Sequence, residues 1–345
     1  MAGRVTITEV AKAAGVSKTA VSFAFNSPGK LGESTLERVL RVAHDLGYTP
    51  HPAARWLSTR RSGAIGLLVP QPLDTVFANA FLAELIQGIG EPCERHDLSL
   101  LLVPPLNGSL EGAVRQAAVD GFLSLGLRPD DHAIQTLSRL GLPVVSVDFD
   151  GGPHLVAVNV DDAGGAAAAA RHLLKLGHRE LAVVMLGPAY PERLPLGVTE
   201  RRLAGYQHAI EEAGARPPIT VAAGATTEAG ARAFRTLWKR ARKPTGILAM
   251  SDMAAIGVMS AAKAAGLRVP EDLSVVGFDD LAIAAWTNPA LTTVRQPIVL
   301  KGRLAASLLI SIIQGSTPTS PAPLETRLVI RKTTAKPKGV VNRRA

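Results

Sequence analysis

Two acidic residues directly follow predicted strands, where a parallel sheet would present them to a ligand. Asp148 comes after the apolar run Val144–Val147, and Asp279 comes after Val275–Phe278. In two-lobed α/β folds, small molecules bind in the cleft at the carboxyl ends of the strands. The sequence therefore predicts that both carboxylates face such a cleft.

A second group of side chains shares one face of a short helix near the N-terminus. The segment after Ser17 carries Val21 and Ala24 at helical spacing, so these residues form an inward stripe. A lysine opposite the stripe can donate to guanine acceptors in the major groove of DNA, and hydroxyl groups there can contact bases or phosphates. The side chains opposite the stripe are Lys18, Thr19, Ser22 and Phe23.

Three short helices within residues 1–47 would position that face. Thr6 and Glu9 have the spacing of a capping box at the start of the first helix, and Gly15 ends it. Ser17 caps the second helix. Two helices joined by so tight a turn are typical of a helix-turn-helix, and the amides at both helix starts can bind phosphate oxygens.

The cationic residues are concentrated at the two ends of the 345-residue chain. The net charge is +9; residues 1–61 hold nine Lys/Arg against four acidic residues, and the last fifteen residues hold six Lys/Arg and no acid. A basic N-terminal segment suits a polyanion such as DNA. The C-terminal run over residues 334–345 is predicted to be a solvated, disordered tail.

The middle of the chain alternates apolar runs with helical patterns, which indicates doubly wound parallel sheets. About 270 residues exceed what one such sheet needs, so two lobes are expected. The predicted strands are Ile65–Val69, Leu98–Leu102, Gly121–Leu125, Val144–Val147, Leu181–Leu186, Gly246–Met250 and Val275–Phe278. The predicted helices include Asn79–His96, Asp162–Leu176, Glu200–Ala213, Met253–Ala265 and Val299–Gln314.

These patterns predict a small all-α head at residues 1–50 and a two-lobed α/β core at residues 64–333. Lobe 1 is expected at about 64–160 plus 292–320, and lobe 2 at about 161–291 plus 321–333. Residues 51–63 join head and core: the prolines in Thr49-Pro50-His51-Pro52 interrupt the helix, and Ala53–Leu57 forms two helical turns at most. So short a helix is marginal alone in water.

Several function classes find no support in the sequence. The single cysteine, Cys93, excludes an internal disulfide and suits a reducing cytoplasm, and no zinc-ligand spacing is present. No stretch of about 18 apolar residues predicts a membrane span, and the first residues do not resemble a signal peptide. Motifs for nucleotide phosphates, metalloproteases or serine hydrolases are missing, so neither cofactor nor metal is expected.

Residues 6–57 and the core both resemble the LacI/GalR family of transcriptional regulators, in the same order along the chain. In the head the matching runs are Thr6–Ser22, Glu37–Leu40, Leu46–Pro50 and Ala54–Leu57. In the core they are Ile65–Pro70, Val158–Gly164, His172–His178, Arg202–Tyr206, Val276–Asp280 and Pro289–Val294. The resemblance implies a periplasmic-binding-protein-like core and a DNA-binding regulator, a repressor rather than an activator, that works as a homodimer on a pseudo-palindromic operator.

The resemblance also implies which residues bind DNA in the hinge. Leu57 matches the leucine that wedges into the central base step when two hinge helices pair in the minor groove, and Ala54 and Arg55 match its neighbours. A marginal helix would gain its partner and its groove only on the operator. At Phe23 the chain departs from the polar residue that the family often has there. Its ring can pack on a thymine methyl or fold against the third helix.

In the core, Arg202 and Asp279 match family positions that hydrogen-bond the effector, and Phe81, Asp148 and Ser251 match further pocket positions. A carboxylate and a guanidinium suit a sugar, a polyol or a nucleoside-like molecule. Ser251-Asp252 replaces the family's common Asn-Asp, which points away from a typical hexose. Trp286 would either line this pocket or merely pack.

Two other functions compete with this interpretation. A soluble sugar-binding receptor would share the two-lobed fold, but it would need a secretion signal and no helix-turn-helix. An α/β enzyme could use Asp161-Asp162 or Asp279-Asp280 as acid and base, yet no nucleophile or metal set accompanies either pair. Asp161-Asp162 more simply caps the helix that follows.

The hinge hypothesis predicts the behaviour of a Leu57→Ala variant. Because the alanine cannot wedge between base pairs, the variant should lose much of its operator affinity while it still binds effector. A DNA-binding titration beside an effector-binding assay checks this. Normal operator affinity in the variant would contradict the wedge.

Overall fold

In the computed structural model, the described residues are 5–48, 61–150, 155–187 and 197–338. The predicted hinge residues Ala54, Arg55 and Leu57 lie outside them. The chain forms two compact units: residues up to 64 together with 118–120, and the remainder. The first contains the helical head and the second contains both sheets.

The head consists of three helices, as predicted: α1 (Ile7–Ala14), α2 (Lys18–Asn26) and α3 (Glu33–Asp45). At the start of α1, the carboxylate of Glu9 accepts hydrogen bonds from the Thr6 amide at 2.7 Å and from the Thr6 hydroxyl at 2.8 Å. The Thr6 backbone amide is the main reason why the pKa of Glu9 is lowered.

The turn between α1 and α2 is built as the sequence predicts. Gly15 ends α1 with a left-handed backbone (φ 66°), which glycine adopts without steric cost. The Ser17 hydroxyl then accepts the Ala20 amide at 3.1 Å and caps α2. Val10, Val21 and Val39, one from each helix, are fully buried and close a small core.

The second unit contains two sheets, and the first has five strands. Its strands are β1 (Ala64–Leu68), β2 (Ser99–Val103), β3 (Phe122–Leu125), β4 (Val144–Val147) and β5 (Val156–Val158), in the order β2-β1-β3-β4-β5. The strands β1, β3, β4 and β5 run parallel. The helices that follow them are α4 (Leu73–Phe77), α5 (Ala80–Arg95), α6 (Leu110–Gln116) and α7 (His132–Arg139).

The second sheet has six strands in the order β11-β10-β9-β8-β6-β7. They are β6 (Leu181–Met185), β7 (Ile219–Ala222), β8 (Gly246–Ala249), β9 (Ser274–Asp279), β10 (Thr292–Arg295) and β11 (Arg327–Val329). All neighbours are parallel except β10 and β11. The accompanying helices are α8 (Asp162–Lys175), α9 (Val198–Glu212), α10 (Thr227–Trp238), α11 (Asp252–Ala264), α12 (Ala282–Trp286) and α13 (Ile298–Ile313).

The doubly wound architecture is confirmed, but one predicted boundary shifts. The sequence patterns predict that lobe 1 resumes at about residue 292, whereas β10 pairs in parallel with β9 and so belongs to the second sheet. After β10, the first element that lies again on the five-stranded sheet is α13, which packs there against α5. The chain therefore crosses back between Arg295 and Ile298.

The predicted disorder of the tail is wrong for residues 334–338. The backbone carbonyl of Ala335 bonds His178 Nε2 at 2.9 Å, and its amide donates to the Ser274 hydroxyl at 3.0 Å. Thr334 bonds His172 at 2.9 Å, and Lys338 pairs with Asp272. Hydrogen bonds to buried polar groups hold this segment against the second sheet.

Helices α5 and α13 meet backbone to backbone. A Cβ atom on Gly88 would lie 2.1 Å from the Val299 carbonyl oxygen, and one on Gly302 would lie 2.3 Å from that of Leu85. Only glycine permits this approach, so α13 is seated at a fixed depth on α5.

Within the described residues, no helix combines the length and the apolar character that a membrane crossing requires.

Candidate effector cleft and DNA-facing helix

A cavity of about 720 Å³ opens within the second unit, and it is lined by segments that follow strands of both sheets. Asp148 reaches it from the end of β4, and Asp279 reaches it from the end of β9. Parallel strands of one sheet end at one edge, so the two sheets turn those edges towards a common space. All five predicted effector residues line this cavity: Phe81, Asp148, Arg202, Ser251 and Asp279.

Asp148 is 6 % exposed and has a left-handed backbone (φ 63°). Its amide donates to the Val158 carbonyl oxygen at 3.2 Å. Its carboxylate accepts a hydrogen bond from the Lys301 ammonium at 2.6 Å. Non-glycine residues adopt this backbone rarely, so the surrounding contacts must hold it.

Asp279 is the counterpart in the second sheet, at 5 % exposure and with φ 126°. Its Oδ1 accepts a hydrogen bond from Gln296 Nε2 at 2.6 Å and lies 3.9 Å from Arg202. Burial disfavours the carboxylate and raises the pKa of Asp279 to about 6, although Arg202 and Gln296 oppose this. Asp279 therefore keeps its proton to a higher pH than an ordinary aspartate does.

Arg202 is buried on α9 and is held by carboxylates. Its Nε donates to Asp162 Oδ1 at 2.8 Å, and its guanidinium lies 3.5 Å from the centre of the Phe278 ring. Burial alone would lower the pKa of Arg202, but Asp162 and Asp279 outweigh burial and raise it. Arg201 also donates to Asp162, at 2.7 Å, so Asp162 joins two cations.

The structure also bears on the predictions for Asp161 and Trp286. Asp161 caps α8, as predicted, by accepting the Gly164 amide at 2.8 Å. The hypothesis that Trp286 lines the pocket is wrong, because this side chain ends α12, is 86 % exposed in the single chain and does not line the cavity. Ser251 lines the cavity and also caps α11 through its hydroxyl, which accepts the Ala254 amide at 3.2 Å.

Sequence reasoning missed the partners of the predicted residues. Asp162, Gln296 and Lys301 hold Arg202, Asp279 and Asp148 respectively. A signal for Lys301 did exist: it stands three residues after Ile298 and four before Ala305, on the buried face of an apolar helix. A charged residue at such a position needs a buried partner.

On the head, α2 presents the predicted DNA-facing residues to different extents. Lys18 and Thr19 are exposed, whereas Ser22 and Phe23 are half-buried. Ser22 accepts a hydrogen bond from Asn26 at 3.3 Å. Phe23 lies under the ammonium of Lys30, 5.0 Å from the ring centre, so it belongs to a cation–π pair on the surface of the head.

Two family models match the chain. The model described as bacterial regulatory proteins, lacI family, matches residues 6–51, and the model of a periplasmic binding protein-like domain matches residues 170–334. The first covers the helical head, and the second covers most of the second sheet with its helices.

Two relatives match this chain over nearly its whole length. The HTH-type transcriptional regulator CelR of Thermobifida fusca is 34% identical over 343 residues, which cover 95% of this chain and 98% of CelR. The HTH-type transcriptional repressor CytR of Escherichia coli strain K12 is 33% identical over 338 residues, 95% of this chain and 96% of CytR.

Solved structures extend the likeness to the fold. A CelR–cellobiose complex covers 96% of this chain and 100% of its own, at 31% identity and a TM-score of 0.72. The Lac repressor dimer bound to operator and the anti-inducer ONPF covers the same shares, at 26% identity and a TM-score of 0.81.

The helix-turn-helix head and the two-sheet core with its polar cleft together define a DNA-binding transcriptional regulator that responds to an effector. The chain belongs to the LacI family of bacterial regulatory proteins.

The buried hydroxyl of Tyr206 generates a test of packing beside the cleft. Tyr206 lies fully buried on α9, and among the described residues its hydroxyl has no hydrogen-bond partner. Burial of this group also raises its pKa. Tyr206→Phe removes an unsatisfied polar group, so we expect stability to stay equal or to rise by about 1 kcal/mol. Urea unfolding measures this.

Tyr206→Ala is the matched variant, because it opens a cavity as well. It should lose about 3–5 kcal/mol. A loss of more than about 1 kcal/mol in Tyr206→Phe would show instead that the hydroxyl makes a stabilising bond, for instance to a buried water.

Proposed function

We propose that this protein binds a pseudo-palindromic operator as a homodimer and that an effector in the cleft changes its operator affinity. The observation that supports this proposal is the lining of the cleft by residues from both sheets. It takes Asp148 from one sheet and Asp279 from the other, so a ligand bound there contacts both lobes at once. Such a ligand favours one lobe arrangement over another, and the difference in its affinity for the two sets the coupling to DNA.

The cleft suits an uncharged molecule that carries several hydroxyl groups. Asp148 and Asp279 accept hydrogen bonds, Arg202 donates them, and Ser251 can do both. Phe81 and Phe149 add aromatic surface to the lining. Sugars, polyols and nucleoside-like molecules have this combination of polar edges and apolar faces. Two LacI-family structures, one of them CelR, contain cellobiose and ribose.

On the DNA side, Lys18 and Thr19 are the exposed side chains of α2 and are proposed to reach base edges. Ser22 and Phe23 lie on the same face, and the helix starts at Thr6 and Ser17 are proposed to bind phosphate. The positive end of each helix dipole favours an anion there. Leu57, with Ala54 and Arg55, is proposed to form the minor-groove wedge.

Several apolar side chains on the core support a homodimer. Phe77, Ile283 and Trp286 are 75 %, 44 % and 86 % exposed in the single chain. We propose that these side chains are buried against a second copy in the dimer, which would remove their apolar surface from water. A dimer brings two heads to the two halves of one operator.

The acid pairs favour binding over catalysis. Asp161 caps α8, Asp162 is held by Arg201 and Arg202, and Asp280 is held by Arg331 at 2.6 Å. Carboxylates that are engaged in this way are poor candidates for proton transfer. We therefore propose that the protein binds its effector without turnover. We also propose that it works in the cytoplasm, because its single cysteine, the buried Cys93, suits a reducing compartment.

The proposed function is tested by selecting duplexes from a random library with the purified protein. The selected duplex is then titrated in the presence of cellobiose, ribose, other sugars, polyols and nucleosides. We expect an enriched palindrome, steeply salt-dependent affinity, and a shift of at least about tenfold with one of these molecules. Lack of any enriched sequence would overturn the proposal.

An Arg202→Ala variant separates the two activities. Because Asp162 and Asp279 lose their buried cation, its thermal midpoint should fall. Assayed below that midpoint, it should bind the selected duplex like the wild-type protein but should no longer respond to the effector, because the cleft has lost its guanidinium. Loss of both activities at that temperature would assign Arg202 a folding role only.

The pKa of Asp279 predicts how effector affinity depends on pH. Burial raises the pKa of Asp279 to about 6, and the ionised carboxylate is proposed to accept hydrogen bonds from the effector. Affinity should therefore fall as the pH drops from 7.5 to 5, and Asp279→Asn should bind weakly with little pH dependence. Calorimetric titration with the effector found in the panel measures both.

Asp272→Asn is the control, since Lys338 and Arg268 lower the pKa of Asp272 to about 2 and keep it ionised over this range. Its pH profile should match that of the wild-type protein. Constant wild-type affinity between pH 5 and 7.5 would contradict a direct contact between effector and Asp279.

A further inference from the structure

Lys301 is a fully buried lysine on the otherwise apolar buried face of α13. Its ammonium donates to Asp148 Oδ1 at 2.6 Å and to Gln296 Oε1 at 2.8 Å. It also lies 4.8 Å from the centre of the Phe81 ring. An ammonium has three N–H donors, and these two acceptors and one aromatic face can occupy all three.

The burial of Lys301 is unfavourable by itself. Removing an ammonium and a carboxylate from water costs several kcal/mol per ion, and an apolar pair of similar volume is often equally stable or more stable. Packing alone therefore does not explain a lysine here. A buried ion pair does, however, fix the positions of the groups that it joins.

The three partners of Lys301 all line the effector cleft, and they come from three separate segments. Phe81 stands at the start of α5, Asp148 follows β4, and Gln296 follows β10. The first two belong to the five-stranded side, and Gln296 lies in the crossover that leads from β10 of the six-stranded side into α13. Lys301 thus contacts the five-stranded side directly and is connected to the six-stranded side through Gln296.

The chain of contacts continues into the second sheet. The amide of Gln296 accepts from Lys301 through its oxygen and donates to Asp279 through its nitrogen, at 2.6 Å. Asp279 in turn lies 3.9 Å from Arg202. One lysine is therefore connected to both acids of the predicted effector site.

Helix α13 gives Lys301 a fixed position. Its neighbour Gly302 packs against the backbone of α5, and Gly88 of α5 packs against the backbone of α13. The depth of α13 therefore cannot adjust easily, and the ammonium stays close to Phe81 and Asp148.

We propose that Lys301 is a positioning residue that assembles the effector cleft from both lobes, by fixing Phe81, Asp148 and Gln296 around one ammonium. This inference rests on the proposed function insofar as those side chains face an effector. The lobe geometry that it predicts exists without effector and without DNA, so it is measured on the full-length protein alone.

The test measures the distance between the lobes by pulsed electron paramagnetic resonance. Nitroxide labels are placed at Gln135→Cys on α7 and Thr236→Cys on α10, both exposed, in a Cys93→Ala background. We compare the labelled parent protein with Lys301→Met and with the double variant Lys301→Met/Asp148→Asn. Thermal unfolding is recorded for each.

In Lys301→Met, Asp148 keeps a buried charge without its cation, so the thermal midpoint should fall by roughly 6–12 °C. In the double variant that charge is gone, so the thermal midpoint should rise most of the way back to that of the parent protein. The distance distribution should be shifted, or about twofold broader, in both variants, because neither has the ammonium that joins the lobes.

A role limited to charge neutralisation gives a different result. The double variant would then regain the parent distance distribution together with its stability, and the proposal would be overturned. An unchanged distribution in Lys301→Met would overturn it equally. If Lys301→Met does not fold, the double variant alone decides between these outcomes.

The matched control lies on the same helix. Arg303→Met removes a half-exposed cation that pairs with Glu91 of α5 at 2.6 Å, within one lobe. Its distance distribution should match that of the parent protein. These outcomes are independent of the ligand panel and of the operator selection, so the proposed function and the role of Lys301 succeed or fail separately.

Discussion

The second sheet's half of the cleft depends on the pairing of one buried guanidinium. Arg202 is 3 % exposed, and its charge is balanced by Asp162 at the start of α8 and by Asp279 at the end of β9. Removing one partner of a buried ion pair typically costs about 3–5 kcal/mol, because the remaining charge keeps its desolvation penalty. Helices α8 and α9 and strand β9 therefore hold a fixed arrangement, and the wall of the cleft is fixed with them.

The need to hold buried charges in fixed positions also explains the unusual backbone of Asp148 and Asp279. Asp148 and Asp279 both have φ values that non-glycine residues seldom adopt, and such conformations cost about 1–3 kcal/mol each. In each case a short hydrogen bond to the carboxylate, from Lys301 or from Gln296, stabilises the side chain in that position. Both residues end a strand at the cleft, where the chain must turn away while the side chain points inward.

Sequence patterns predicted the buried parts of the fold well and its edges poorly. The seven predicted strands match β1 to β4, β6, β8 and β9 within about two residues. Six of them lie inside a sheet, where buried parallel strands form continuous apolar runs, and β2 is an edge strand with an apolar sequence. The strands β5, β7, β10 and β11 were missed. Three of them are sheet edges of three or four residues, and Ile219–Ala222 alternates half-buried with exposed positions. Strand β10 is buried but carries Thr292 and Thr293, whose hydroxyls interrupt its apolar character.

Contacts in the head can be predicted from the sequence better than contacts in the cleft, because their partners are closer together along the chain. In the head, Thr6 with Glu9 and Ser17 with Ala20 are three residues apart, so local spacing is sufficient to predict each cap. In the cleft, Lys301 reaches Asp148 across 153 positions, and only the topology of two sheets brings them together. Strand-end geometry predicts which acids face the ligand, because it is a property of each strand. The cations that hold those acids lie on other elements, so they become visible only when the chain has folded.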